Sequence, residues 1–195
     1  MSSHHIVRDD QEPALLILHL DQNNHSIIHS LLGWSPIVIA NYQTAEQLIT
    51  LDIKVDWVLV NENQQEEIED LMLYQHPYQL KIKQSNDDIK EALDWLIEKG
   101  HNAVNIIGHQ FDDHTLDLIL HQTDLETIVL FDKDFKGLIS KKNTFEKWMR
   151  KDQHLKTSAI SLQNTSEQEG ELVVLEDGMI QLEANPPYYI FEKWN

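Results

Sequence analysis

Three short stretches carry residue types that could hold a ligand at the end of a strand or the start of a helix. Val60-Asn61-Glu62-Asn63 closes an apolar run, Ser85-Asn86-Asp87-Asp88 opens an amphipathic one, and Asp113-His114-Thr115 opens another. A carboxylate such as Asp88 can bind a divalent cation, whereas the amide oxygen of Asn61 or Asn63 can touch one but brings no negative charge. The same residues also have a plain structural use. Carboxylates at Asp87, Asp88 or Asp113 satisfy free backbone N–H groups and the helix dipole, Asn86 can cap, and Thr115 is tolerated in a first turn. His109, Asp113 and His114, with Asp112 and His121 nearby, could gather a metal ion, but turn residues this close together rarely point at one centre. His4 and His5 sit on a polar tail. Neither a Ser/His/Asp order nor a Walker-type glycine loop is present, and the six glycines are scattered. Trp148 and Trp194 could stack on a flat ring, yet Trp in a small β unit usually packs in a core or an interface. Met72, Met149 and Met179 read as core filler.

The elements that must position these residues alternate. Ala14–Leu18, Ile37–Ala40, Val55–Val60, Gln79–Lys83, Ala103–Ile107 and Thr127–Asp132 read as strands. Between them lie expected helices over Ser26–Trp34, Thr44–Leu51 (Thr44 as N-cap), Gln64–Tyr74, Asp87–Lys99 and Asp113–His121. The clearest is Asp87–Lys99, in which Ile89, Ala92, Leu93, Leu96 and Ile97 form one apolar stripe and Gly100 suits a left-handed stop. This order predicts an α/β fold: a doubly wound, mainly parallel sheet in a nucleotide-type domain over residues 1–136, with ligands at the carboxyl ends of its strands. From Gly137 onward, alternating patterns at Leu155–Leu162, Glu171–Glu176 and Met179–Glu183 predict a small antiparallel β unit over 137–195. Asp177-Gly178 signals a hairpin, Gln163–Gly170 a loop, and Tyr188–Phe191 a last strand.

Fifteen Lys and Arg against 33 Asp and Glu give a net charge of −18. Such a surface repels phosphate backbones and anionic lipid, which argues against nucleic acid and membrane partners. Without a cysteine the chain forms neither disulfides nor thiolate metal sites. The polar, charged start over Met1 to Pro13 is unlike a signal peptide, and no segment has the length and apolarity of a membrane span. A cytoplasmic location is expected.

The order of these blocks resembles the thiamine pyrophosphokinase family, in which a G-D-F-D turn, a D-x-x-T-D helix start and a G-G-x-x-D-H-T turn bind ATP and magnesium. The resemblance is strongest over Leu51–Asp56, Asp88–Ile107, Asp113–Thr115, Phe145-Glu146-Lys147-Trp148 and Glu176-Asp177-Gly178. It implies an α/β domain followed by a small β-sandwich, a homodimer, and a thiamine or nucleotide ligand. The positions it marks as nucleotide-binding are Asn61, Asn63, Asp88, Asp113, His114 and Thr115, with Asp88 as the metal ligand. Magnesium and ATP would be the cofactors if the activity is retained. The chain departs from the pattern at several places. Tyr42-Gln43 stands where Asp-Gly is expected, Asn61 and Asn63 replace two aspartates, and Lys83 or a neighbour replaces the first Asp of D-x-x-T-D. Gly108-His109-Gln110-Phe111-Asp112 lacks the glycine pair and the basic residue, and Glu171-Leu172 stands near the thiamine-holding Ser-Asn. No Lys or Arg lies between Lys99 and Lys133. A catalytically silent relative with a binding or regulatory role is therefore expected. The alternatives are a working kinase with substitute ligands and a structural, partner-binding dimer.

Overall fold

The computed structural model describes residues 12–22, 24–108, 111–122, 124–132, 134–159, 161–168 and 170–193. His4, His5, His109, Gln110, Lys133 and Trp194 lie outside them. The chain packs as two compact units: residues 12–108 with Asp124–Glu126, and residues 111–122 with everything from Thr127 onward.

The first unit is built on five parallel strands, β1 (Ala14–Ile17), β2 (Val38–Asn41), β3 (Trp57–Val60), β4 (Gln79–Ile82) and β5 (Ala103–Ile107), in the order β5-β1-β2-β3-β4. The chain steps outward from β1 to β4 and then returns to the far side of β1. This reversal puts the topological switch between β1 and β5. Strands β1 and β3 are buried at every residue, which is why each reads as an unbroken apolar run rather than an alternation. The connecting helices are α1 (His25–Leu32), α2 (Tyr42–Thr50), α3 (Gln65–Leu71) and α4 (Asp88–Glu98). Helix α4 buries Ile89, Ala92, Leu93 and Leu96, as its stripe predicts, and each buried leucine contributes about 1.5–3 kcal/mol. Trp95, outside that stripe, also turns inward and meets Trp57 with ring centroids 4.6 Å apart. Gly100, at φ 81°, ends the helix.

The second unit begins with α5 (Asp113–Leu120) and β6 (Thr127–Phe131) and continues as β7 (Phe135–Ser140), β8 (Thr144–Met149), β9 (His154–Thr157), β10 (Ser161–Gln163), β11 (Thr165–Gln168), β12 (Glu171–Val174), β13 (Gly178–Glu183) and β14 (Tyr188–Lys193). Strands β11-β12-β9-β14-β7-β6 form one antiparallel sheet and β10-β13-β8 another. Met149, Leu155, Val174 and Ile180 form one core cluster, and Leu182, Tyr188 and Ile190 a second, with Phe145 touching both. The compact unit thus takes in α5 and β6, which lie before residue 137. The reason is that β6 pairs antiparallel with β7, and α5 packs on β14.

Several expectations change. Asp177-Gly178 does not close a hairpin, because β12 pairs with β9 and β11 while β13 pairs with β8 and β10. The turn instead carries the chain from one sheet to the other. It is held by Asn164, whose side chain accepts from Glu176 N–H and donates to Glu176 O. The polar stretch from Gln163 contains β11, since an edge strand can satisfy its ladder without apolar side chains. The residue types of β7 and β8 do not alternate apolar and polar over their full length, so the sequence does not mark them as strands. Met72 and Met149 are buried as expected, but Met179 and Trp148 are 52% and 55% exposed.

Candidate functional site

The carboxyl ends of the parallel strands are cross-tied by their own residues. Asn41, the last residue of β2, spends its whole amide: Oδ1 accepts from Thr44 N–H at 3.0 Å, and Nδ2 donates to Leu18 O at 3.2 Å and to Asp88 Oδ2 at 3.0 Å. Asn41, not Thr44, is therefore the N-cap of α2. Thr44 sits in the first turn and donates its hydroxyl to Leu18 O at 2.9 Å. At the switch, Leu18 N–H donates to Ile107 O at 3.0 Å. Gly108 follows at φ 79°, and a Cβ there would lie 2.1 Å from His19 O. Only glycine lets the ends of β5 and β1 approach this closely.

Asp88 is reached from the other side by Lys83. Lys83 N–H donates to Val60 O at 2.8 Å, extending the β3–β4 ladder by one residue, and its ammonium lies 2.6 Å from Asp88 Oδ1. The loop from β4 to α4 is fixed by Glu91. This buried carboxylate on α4 accepts from Gln84 N–H at 2.9 Å and from Ser85 N–H at 2.7 Å. Asp87 is the N-cap of α4, accepting from Lys90 N–H at 3.0 Å. Asp88 is therefore not the cap, and its two oxygens are taken instead by Asn41 and Lys83.

Asn61 follows β3 and starts a 3-10 turn over Glu62–Gln64. Its N–H donates to Gln64 Oε1 at 2.9 Å, and Gln64 N–H donates to Asn61 O at 3.0 Å. Both Asn61 and Asn63 are exposed. Asp113, His114 and Thr115 form the first turn of α5, in the second unit. The N-cap of α5 is Asp112 rather than Asp113, accepting from Thr115 N–H at 2.8 Å. Asp113 and His114 are exposed and Thr115 is buried. Burial, with a smaller contribution from the negative charge of Asp113, raises the Tyr189 hydroxyl above its ordinary value. On α2, a hydrogen bond to Glu67 is the main cause that raises Tyr42. Among the described residues no group of three His, Asp or Glu side chains could hold a metal ion. The donor set around Asp88 therefore does not fit magnesium, since one of its oxygens faces an ammonium and the other an amide N–H. Sequence reasoning missed Asn41 and Glu91. An Asn between an apolar run and a helix three residues before Thr44 is a capping signal, but nothing in the sequence marks Glu91.

The second unit contains an open groove of about 500 Å³ across β11, β12, β9 and β14, whose lining includes Lys156, Glu167, Glu171, Leu172 and Tyr189. Glu171 accepts from His154 Nδ1 at 2.8 Å and faces Lys156 Nζ at 3.5 Å. Burial pushes its carboxyl upward, but the hydrogen bonds from His154 and Lys156 and the charges of Lys156 and Lys193 outweigh that and hold it below the usual carboxylate range.

No protein-family model matches the chain. No curated protein matches it either. Solved structures do. Thiamine pyrophosphokinase from Bacillus subtilis superposes with a TM-score of 0.61 at 13% identity, covering 94% of this chain and 99% of its own. Thiamin pyrophosphokinase from Geobacillus thermodenitrificans gives 0.65 at 9% identity, covering 93% and 97%. The Candida albicans enzyme gives 0.58 at 12% identity, covering 94% and 90%. The chain has the thiamine pyrophosphokinase fold: a parallel α/β unit followed by an antiparallel β unit. Among the described residues no helix is long and apolar enough to cross a membrane.

Proposed function

We propose that this chain is a divergent, catalytically silent member of the thiamine pyrophosphokinase family with a binding or regulatory role. One observation carries the reading: Asp88, the carboxylate that the resemblance marks for metal, is already engaged by Lys83 at 2.6 Å and Asn41 at 3.0 Å. Pyrophosphoryl transfer needs charge on the phosphates to be neutralised as it develops, by a metal and by fixed cations. Asn61 and Asn63 bring no charge to that task, and residues 100–132 contain no Lys or Arg. Each missing group forfeits a few kcal/mol of transition-state stabilisation, and about 1.4 kcal/mol is tenfold in rate.

In this reading Asn61, Asn63, Asp88, Asp113, His114 and Thr115 are remnants of the nucleotide motifs, retained for turns and helix starts. The groove beside Glu171 and Tyr189 is the favoured place for a thiamine-type ligand, because the Tyr189 ring lines it, although His154 and Lys156 already engage the Glu171 carboxylate. The protein acts as a homodimer. Trp148 and Met179 support this, since they are cross-strand partners on β8 and β13 and both stay exposed. Tyr188 and Phe191 supply no such argument, because they are buried within their own unit. The reading is tested by calorimetry with ATP in the presence and absence of magnesium. Weak binding or none is expected, and magnesium-dependent micromolar affinity, about −8 kcal/mol, would overturn it.

A further inference from the structure

Lys83 is held too deliberately to be a stray surface cation. Its side chain is only 12% exposed, and its backbone is fixed to Val60 by the strand ladder. The two residues after it, Gln84 and Ser85, are fixed by Glu91. The ammonium is thus delivered to Asp88 Oδ1 by a rigid turn, while Asn41 occupies Oδ2. Holding a lysine in one rotamer costs side-chain entropy and hydration, so an arrangement anchored at this many points is a built contact. An exposed ion pair would not repay that cost.

We propose that the Lys83 ammonium is a built-in cation standing where a divalent ion would have to bind Asp88, so that binding at this strand edge is independent of divalent metal. The substitution changes what the edge can recognise. An ammonium carries a single charge and donates hydrogen bonds, but it has no vacant coordination position through which to grip a phosphate chain. The edge is therefore suited to polar ligands bound directly by hydrogen bonds, not to metal-bridged polyphosphates. This rests on the silent-member reading and deepens it: Mn2+ at Asn41 reports on metal at Asp88, whereas formation of thiamine diphosphate reports on turnover, so the two failures are distinguishable.

The probe is Mn2+, titrated into the full-length protein and read as paramagnetic broadening of the Asn41 side-chain amide signal in NMR. In the natural protein that signal stays sharp at Mn2+ concentrations that already broaden signals beside exposed surface carboxylates. In Lys83→Asp, which places a second carboxylate beside Asp88, it broadens at least about tenfold earlier in the titration. Adding Asp88→Asn to that variant removes the gain. Circular dichroism confirms that each variant is folded. If Lys83→Asp does not fold, Lys83→Met removes the charge, keeps the aliphatic length, and is read for the same gain. Broadening of the Asn41 amide in the natural protein as early as in the variant overturns the proposal. So does a folded variant, read in this way, that gains nothing.

Discussion

Replacing Glu91 by alanine tests whether the turn that presents Lys83 is held as the geometry requires. Glu91 is only 6% exposed, and its carboxylate accepts from two backbone N–H groups at 2.9 and 2.7 Å. Hydrogen bonds to a charged acceptor contribute about 1.5–3 kcal/mol each, so the pair is worth roughly 3–6 kcal/mol before costs. Glu91→Ala also relieves the burial of one carboxylate, which offsets part of the loss. The net destabilisation should be about 2–4 kcal/mol, a large share of the roughly 5–15 kcal/mol that a domain possesses. Glu91→Gln keeps the acceptor oxygen without its charge and should lose about half as much. Urea unfolding followed by tryptophan fluorescence measures both, because the packed pair Trp57 and Trp95 lies in this unit. Hydrogen exchange at Gln84 and Ser85 should accelerate in parallel. Stability of Glu91→Ala within about 0.5 kcal/mol of the natural protein, the range of an ordinary surface substitution, would refute the reasoning.

Two further outcomes follow from the β unit. Glu171 has a depressed carboxyl in the folded state, so its contribution to stability is complete above its unfolded value, about 4.3. That contribution is lost as pH falls through the lower folded value. Urea midpoints measured through this acid range should therefore fall less steeply in Glu171→Gln than in the natural protein, and parallel curves would remove the ion cluster from the account. Light scattering at tens of micromolar, roughly the range in which stable interfaces persist, should show a dimer that Trp148→Glu weakens. A natural protein that is monomeric at that concentration would end the dimer proposal.

The parallel unit was legible in the sequence because strands buried on both faces leave unbroken apolar runs, as at Ala14–Ile17 and Trp57–Val60, and because α4 shows its stripe so plainly. The β unit was less so. Whether Asp177-Gly178 closes a hairpin or changes sheets depends on the long-range partners of β12 and β13, with Asn164, a dozen residues away, bracing Glu176, and local pattern cannot carry that. Strand β11 was hidden because its pairing satisfies the backbone while its side chains, Thr165-Ser166-Glu167-Gln168, stay polar. At the candidate site the residue types were visible but not their engagements. Asp88 reads as a helix-start carboxylate, and nothing in the spacing says that Lys83 and Asn41 consume both of its oxygens.

The central claim is that the fold is kept while pyrophosphoryl transfer is lost. The most direct measurement incubates the purified protein with thiamine, ATP and magnesium and follows AMP and thiamine diphosphate by chromatography, with Asn61→Ala and Asp88→Ala alongside. The account predicts no product above background in any of the three. A substitute ligand such as Glu62 or Asp112 would have to sit within about half an ångström of productive geometry, and several losses would have to be repaired at once. Steady turnover by the natural protein that disappears in Asp88→Ala would contradict the account.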